Sequence, residues 1–276
     1  MKINTRVVKV LILFVFFGVL LNQVGFAAFG FGGGKSFKVG ATPVPHAEIL
    51  EFVKDDFEEK TGVKLDIVIF TDYVQPNLAL EDGSIDANYF QHEPYLETFT
   101  RERGINDLVS IAKIHVEPMG FYLKKDLKDL KKGDLIILPN DVTNEGRSLL
   151  LLQENGIIKL NDREDPLVAT IKDILENPYG LKFKELEAPY LPRTYKSDKN
   201  VVGAVINTNY AIEADLNPLK DAVFYEGAES PYANIIAVKE NRADDELVKA
   251  LVEVLTTEKV RNFILEKYNG AVVPVF

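Results

Sequence analysis

A short apolar run, followed by polar residues and an arginine, holds the most informative chemistry in this sequence. Residues 135–138 (LIIL) predict a buried strand that ends at Pro139. Thr143 or Asn144 is then expected to cap a helix with Arg147 in its first turn. A helix N-terminus carries unpaired N–H groups and partial positive charge, so an arginine beside it could bind a carboxylate. A surface arginine beside a capped helix is an equally good interpretation.

Polar and aromatic side chains follow the ends of several predicted strands. Because ligands of open α/β sheets lie beyond the carboxyl ends of the strands, we expect these side chains to meet in one cleft. Each also has a plain structural alternative, since Tyr73 and Phe90 could be core residues, and His92 and Asn207 could cap helices. The clusters lie at 71–73, 88–92, 140–147 and 207.

Signatures of catalysis and of metal binding are weak. The sequence contains neither a Gly-x-Ser-x-Gly elbow nor a His-Glu-x-x-His pair. His115 and Glu117 lie on an extended stretch, but a third metal ligand is missing from the pattern. We therefore expect no catalytic residues and no metal site.

The composition is that of a folded, acidic protein without cysteine. The 276 residues are 46% hydrophobic and 27% charged, enough for one large or two medium domains. The formal net charge of -10 disfavours nucleic acid as a partner, and no basic cluster offsets it. The absence of cysteine excludes disulfides, thiolate metal sites and cysteine nucleophiles.

The N-terminus has the pattern of a secretion signal. Basic residues precede an unbroken apolar run over 10–21, and small residues up to Ala27 predict cleavage there. An uncleaved apolar anchor is the alternative. Residues 1–27 are thus interpreted as a signal segment and residues 28–36 as a flexible glycine-rich spacer. Either way, the folded part is expected to be exported.

Strands and helices alternate through the rest of the chain, which favours an α/β protein with parallel sheets covered by helices on both faces. Two such sets predict two lobes, the first over 37–118, the second over 119–221, and a return to the first over 222–276. The extended run at 111–123 is expected to cross between them, and a second crossing to lie near 218–230.

The boundaries of the predicted elements follow from apolar periodicity and from capping and breaking residues. The main predicted strands are 37–41, 63–70, 85–88, 135–138, 181–186, 201–206 and 233–238. The predicted helices are 48–60, 76–80, 94–103, 145–155, 167–175, 208–214, 244–255 and 258–268.

Several longer stretches carry a specific resemblance. They are FTDYVQPNLAL (70–80), DANYFQHEPYL (86–96), IHVEPMGFY (114–122), LPND with TNEGRSLLLL (138–152), LLQENGIIKL (151–160), ENPYGLKF (176–183), AVINTNYA (204–211) and SPYANIIAV (230–238). In the order and rough spacing of these stretches, residues 37–276 resemble the methionine-binding lipoproteins of the NlpA type, the extracytoplasmic receptors of an ABC importer.

The resemblance implies a two-lobed type II periplasmic-binding-protein fold with a ligand cleft between the lobes. It implies a monomer that captures L-methionine without a cofactor and delivers it to the transmembrane permease of an ABC importer. Arg147 would hold the ligand carboxylate, supported by Asn144, and Asn207 and Asn234 would hold the amino-acid backbone. The side-chain pocket would be lined by Tyr73, Phe90 and His92, with His115 and Tyr122 as further candidates.

Two questions stay open at the level of sequence. The ligand could be another apolar amino acid or a methionine-containing dipeptide, and a secreted enzyme with a similar cleft is a further alternative. The family's usual lipid-bearing cysteine is absent. We therefore expect a periplasmic or cell-surface protein that is soluble or held by its N-terminal segment, and not lipid-anchored through cysteine.

Overall fold

The computed structural model describes residues 36–227 and 231–276. The predicted signal segment at 1–27 lies outside the described residues, as does the predicted spacer except for its last residue, Ser36. Within the described ranges, no helix is both long and apolar enough to span a membrane.

The first of two large sheets has six strands. The strands are β1 (Ser36–Ala41), β2 (Lys64–Ile69), β3 (Ala87–His92), β4 (Leu108–Val116), β12 (Ala233–Lys239) and β13 (Val273–Pro274). The strand order across the sheet is β13-β4-β12-β3-β1-β2. β1 pairs in parallel with both β2 and β3, while β12 runs antiparallel between β3 and β4.

Helices cover this sheet, and their ends follow local sequence signals. Ile49, Val53 and Phe57 lie one turn apart on the first helix and are all fully buried. That helix ends at Gly62, and the helix over Glu93–Arg103 ends at Gly104. Both glycines adopt the left-handed conformation, which glycine takes without strain. The helices are α1 (Glu48–Thr61), α2 (Gln75–Glu81), α3 (Glu93–Arg103), α8 (Glu246–Leu255) and α9 (Glu258–Tyr268).

The second large sheet has five strands. The strands are β5 (Gly120–Leu123), β6 (Leu135–Pro139), β9 (Lys182–Leu186), β10 (Val201–Ile206) and β11 (Phe224–Tyr225), in the order β11-β5-β10-β6-β9. At the centre of the sheet, β10 pairs in parallel with β6, and β6 pairs in parallel with β9. The helices around it are α4 (Val142–Glu154), α5 (Leu191–Ser197), α6 (Thr208–Glu213) and α7 (Pro218–Asp221). A two-stranded sheet, β7 (Lys159–Leu160) with β8 (Ile174–Glu176), completes this part.

Two crossings join the sheets. The extended run predicted at 111–123 divides into β4 and β5, which belong to different sheets and are joined by Glu117, Pro118 and Met119. The return crossing lies between β11 and β12. Because β11 pairs with β5, residues 224–225 belong to the second sheet, and the boundary expected at 221 has to move beyond them.

Three local predictions differ from the structure near the functional residues. The helix predicted at 167–175 is wrong, because two short 3-10 turns and β8 occupy that stretch. There the Asp165 carboxylate accepts the Leu167 N–H, and such local bonds compete with a helix. The strand predicted to end at residue 88 continues to His92, so Phe90 and His92 lie on β3 itself.

The third difference concerns the helix that carries Arg147. The N-cap is Asp141, whose carboxylate accepts the Asn144 N–H at 3.0 Å. The helix therefore begins at Val142, earlier than the cap predicted at Thr143 or Asn144. Arg147 consequently lies in the second turn and not in the first turn, where it was expected.

Candidate functional site

A small closed chamber lies where the two sheets face each other. Its free volume is about 20 Å³, room for a single water molecule. An amino acid can therefore enter only when the lobes or lining side chains move apart. In the first lobe the lining comes from the segment after β2, from β3, α3 and β12; in the second lobe it comes from α4, the end of β10 and α6; and one residue comes from the first crossing. The lining residues are Tyr73, Phe90, Gln91, His92, Tyr95, Glu117, Asn144, Arg147, Asn207, Thr208, Asn209 and Asn234.

Arg147 is the cation of the chamber and is almost completely buried. Its Nε and Nη2 donate to the two carboxylate oxygens of Glu226 at 2.7 and 2.6 Å, and Nη2 also donates to the Glu117 carbonyl at 2.8 Å. Its guanidinium carbon lies 4.2 Å from the centre of the Tyr232 ring. Burial disfavours the charge, but the Glu226 carboxylate outweighs burial and raises the pKa of Arg147. The guanidinium thus stays charged.

A chain of amides runs along the second-lobe side of the chamber. Asn207 Nδ2 donates to Asn144 Oδ1 at 2.9 Å, and Asn144 Nδ2 donates to Asp141 at 2.8 Å. His92 reaches the same Asn144 oxygen from β3 at 3.3 Å. Since His92 Nδ1 accepts the Tyr95 N–H, its Nε2 carries the proton in that contact.

Two polar atoms of the chamber wall have no hydrogen-bond partner among the described residues. They are Asn207 Oδ1, an acceptor, and Asn209 Nδ2, a donor. Leaving buried polar atoms unpaired costs about 1–3 kcal/mol each, so such atoms point to a ligand that supplies the missing partners. One acceptor and one donor match the ammonium and carboxylate groups of a zwitterion.

A second polar cluster lies behind the chamber around Glu117. Its carboxylate accepts from His115 Nε2 at 2.8 Å and lies 3.2 Å from His46 Nε2. The other ring nitrogens meet the Tyr89 hydroxyl and, at 2.7 Å, the Thr42 hydroxyl. His46 thus supplies the third possible metal ligand that the sequence pattern lacked. The donor atoms of His46, His115 and Glu117 all lie within 4.8 Å of one another. Every ring nitrogen has a hydrogen-bond partner, since His46 Nε2 meets Asn234 Oδ1 at 3.0 Å. The cluster is therefore also complete as a hydrogen-bond network, in which His115 directs its N–H at Glu117.

The charge states of these groups follow from their burial. Burial lowers the pKa of His46 to about 4 and those of His92 and His115 to about 3. It raises the pKa of Glu117, a shift that His46 and Arg147 oppose. The rings are therefore neutral at pH 7.

The buried histidines predict acid sensitivity. In the unfolded chain they take up protons near pH 6.5, whereas in the folded protein they do so only near pH 3–4. Between these ranges the unfolded state binds more protons, so stability is lost as the pH falls. Each pH unit is worth up to about 1.4 kcal/mol per histidine, and we expect urea denaturation to give an unfolding free energy several kcal/mol lower at pH 4 than at pH 7.

A matched variant separates the histidines from the acidic residues. His92→Gln keeps an N–H donor toward Asn144 but does not titrate in this range, so its stability should fall less steeply between pH 6.5 and 4. A wild-type stability that is constant or rises on acidification, or an unchanged slope in the variant, would contradict this explanation.

Aromatic rings form the apolar wall of the chamber. The ring centres of Tyr73 and Phe90 are 5.9 Å apart, and those of Tyr73 and Tyr95 are 5.8 Å apart. The Tyr73 hydroxyl donates to Asn209 Oδ1 at 2.6 Å, which links the first lobe directly to the second. Beyond these rings, a groove of about 1250 Å³ shares Tyr73 and Tyr95 with the chamber and opens between the lobes.

The structure brings seven of the nine predicted site residues to the chamber. His115 lies behind Glu117 and does not line the chamber. Tyr122 packs in a hydrophobic cluster of the second lobe. The seven that line it are Tyr73, Phe90, His92, Asn144, Arg147, Asn207 and Asn234.

Part of the chamber was not predicted from the sequence. Glu117 was predicted only as half of a metal pair, although its position in the middle of the extended run expected to cross between the lobes is a usable signal. Asn209 lies two residues beyond the predicted Asn207 and carries the unpaired donor. Glu226, the partner of Arg147, has no distinguishing feature in the sequence.

Two α/β lobes, two crossings and a closed polar chamber between them define a two-lobed binding protein of the type II periplasmic kind. The family model described as NlpA lipoprotein matches residues 37–276. This chain belongs to the NlpA lipoprotein family.

Individual relatives agree with that assignment. The chain is 45% identical over 246 residues to the methionine-binding lipoprotein MetQ of Bacillus subtilis (strain 168), covering 88% of this chain and 89% of the relative. A nutrient binding protein from Burkholderia cenocepacia, solved bound to methionine, has a TM-score of 0.82 and 44% identity, covering 87% of this chain and all of the other. An ABC transporter periplasmic substrate-binding protein from Coxiella burnetii has a TM-score of 0.80 and 41% identity, with the same coverage.

The predicted localisation needs a correction. The expectation that the protein is not lipid-anchored is contradicted, because the family is described as a lipoprotein family and the Bacillus relative is named a lipoprotein. The expectation rested on the absence of cysteine from the 276 residues. The family model matches residues 37–276, which is a broader signal than one absent residue type.

Proposed function

We propose that this protein binds methionine in the chamber between its lobes and delivers it to an ABC importer. The observation that carries the proposal is the combination of a buried arginine with an unpaired acceptor and an unpaired donor in one closed wall. The relatives support methionine as the ligand and an ABC importer as the destination.

The polar end of the ligand would be bound by charge and by amides. Arg147 and Asn209 Nδ2 would donate to the carboxylate, with Asn144 holding the neighbouring amide network. Glu117, Asn207 Oδ1 and Asn234 would receive the ammonium group. Arg147 provides a positive charge, and Glu117 provides a carboxylate that an ammonium group beside it would hold in the charged form. This pair suits a zwitterion better than a simple anion or cation.

The apolar end of the ligand would lie against the aromatic wall. Tyr73, Phe90 and His92 present ring edges and faces, and a thioether packs well against such rings. Leucine or a methionine-containing dipeptide is the alternative ligand, the latter because the outer groove continues beyond Tyr73 and Tyr95.

Binding rather than catalysis is the proposed activity. The threonine hydroxyl of the chamber, on Thr208, donates to the Pro118 carbonyl, so its proton is engaged in a backbone hydrogen bond. Uptake would proceed by hinge motion at the two crossings, with lobes centred on the two large sheets. A monomer that docks on a transmembrane permease fits this mechanism.

Calorimetric titration of refolded, ligand-free protein tests the proposal. L-methionine, D-methionine, L-leucine and a methionine-containing dipeptide are titrated separately. The proposal expects one site per chain, with methionine bound most tightly. Tighter binding of leucine or the dipeptide would mean that this compound, and not methionine, is the ligand. No detectable binding of any amino acid or short peptide would refute an amino-acid receptor.

A further inference from the structure

Glu226 joins the arginine of the chamber to both interlobe crossings. Its two carboxylate oxygens accept from Arg147 Nε and Nη2 at 2.7 and 2.6 Å. One of them also accepts the Met119 N–H at 2.9 Å, and the Glu226 N–H donates to the Met119 carbonyl at 3.0 Å. Met119 lies in the first crossing and Glu226 in the second, so this one carboxylate ties the guanidinium to the hinge.

The contacts of Arg147 with described residues use a definite part of its guanidinium. Nε and one N–H of Nη2 go to Glu226, and Nη2 also donates to the Glu117 carbonyl. A guanidinium has five N–H groups in a rigid plane, so fixing one edge fixes the direction of the rest. The N–H groups of Nη1 are the ones that these contacts leave for a ligand.

We infer that Glu226 is a positioning residue that orients Arg147 for the ligand carboxylate. This role rests on the proposed function and specifies how the carboxylate half of the site is built. Because Glu226 and Met119 belong to the hinge, the guanidinium stays aligned with it when the lobes separate. The carboxylate subsite is thus assembled before the ligand arrives, which lowers the ordering cost of binding.

The opposite role for Glu226 is a competitor that occupies Arg147 until the ligand displaces it. The Met119 N–H and carbonyl hold the side chain and backbone of Glu226 in place, and the carboxylate is only 10% exposed. Displacing it would leave a nearly buried carboxylate without its cation. The observed contacts therefore favour positioning over competition.

Two variants and a matched control test the role in the full chain. Glu226→Gln keeps the shape and one acceptor, whereas Glu226→Ala removes both acceptors. Asp134→Asn is the control. Like Glu226, Asp134 is nearly buried in the structure, and its carboxylate accepts hydrogen bonds from a backbone N–H and from a cationic side chain, here that of Lys125. It lies in the second lobe, away from the chamber. Each protein is titrated with L-methionine and, by competition, with L-methioninol, in which an alcohol replaces the carboxylate.

Positioning predicts a loss confined to the carboxylate ligand. L-methionine should bind about 10-fold more weakly to Glu226→Gln and about 100-fold more weakly to Glu226→Ala, the scale of one or two charged hydrogen bonds. L-methioninol should change by less than about 3-fold, and the control should bind both ligands as wild type does.

Several results would overturn the inference. Equal losses for both ligands would indicate general damage, and unchanged or tighter L-methionine binding by Glu226→Ala would indicate an inert residue or a competitor. Wild-type protein that binds neither ligand would overturn the proposed function and this role with it. Normal wild-type binding with unchanged variants would overturn the role of Glu226 alone.

Discussion

Replacing Arg147 with alanine is expected to weaken the binding of methionine by at least about 100-fold. The guanidinium is buried and would make charge-assisted hydrogen bonds to the ligand carboxylate, each worth about 1.5–3 kcal/mol. Its loss also leaves Glu226 without its cation, which places a second negative charge near the ligand. Titration calorimetry with L-methionine measures the change directly.

Two further variants separate ligand contact from general damage. Arg147→Lys keeps the charge but not the planar fork, so its affinity should lie between wild type and alanine. Arg242→Ala removes an arginine that pairs with Asp86 and Asp245 on the first lobe, away from the chamber. It should bind methionine within about twofold of wild type. Unchanged affinity in Arg147→Ala would mean that the ligand binds elsewhere.

Replacing Glu117 with glutamine is expected to lower affinity and leave stability unchanged or higher. The amide loses the negative charge that would face the ligand ammonium, which predicts about 30- to 100-fold weaker methionine binding. Burial raises the pKa of Glu117, which means that ionising this carboxylate disfavours the folded state. The amide removes that penalty and can still accept an N–H from His115 or His46.

Glu145→Gln provides the matched control for this prediction. Glu145 is also buried, and burial raises its pKa to about 7, but it lies outside the chamber and accepts the Ile171 N–H. It should show the same direction of stability change with unchanged affinity. Thermal unfolding measures the stability of both variants, and calorimetry measures their affinity for methionine. If Glu117→Gln binds methionine as tightly as wild type does, Glu117 is not part of the ligand site.

Much of the fold could be predicted because its signals are local. The apolar run before Pro139, the spacing of Ile49, Val53 and Phe57, and the glycines that end α1 and α3 each act within a few residues. The alternation of strands and helices predicted two lobes, and the polar clusters after the strands predicted a cleft between them. The resemblance added the type of fold, the role of each candidate residue and Asn234. The errors lay where side-chain bonding competes with periodicity, as at 167–175 and at the cap formed by Asp141.

The rest of the site depends on contacts between distant parts of the chain. Arg147 and Glu226 are 79 residues apart, and His46 and Asn234 are 188 residues apart. No periodicity or spacing connects such pairs, because the sheet order and the two crossings bring them together. Tyr122 was misplaced because its side of β5 faces the cluster around Leu191, away from the chamber.

A crystal structure of the protein grown with L-methionine would show directly where the ligand lies. We expect one methionine between the two large sheets, with its carboxylate within hydrogen-bond distance of the Arg147 guanidinium and its thioether against Tyr73 and Phe90. A methionine seated in the outer groove, or one whose carboxylate is not bonded to Arg147, would contradict it.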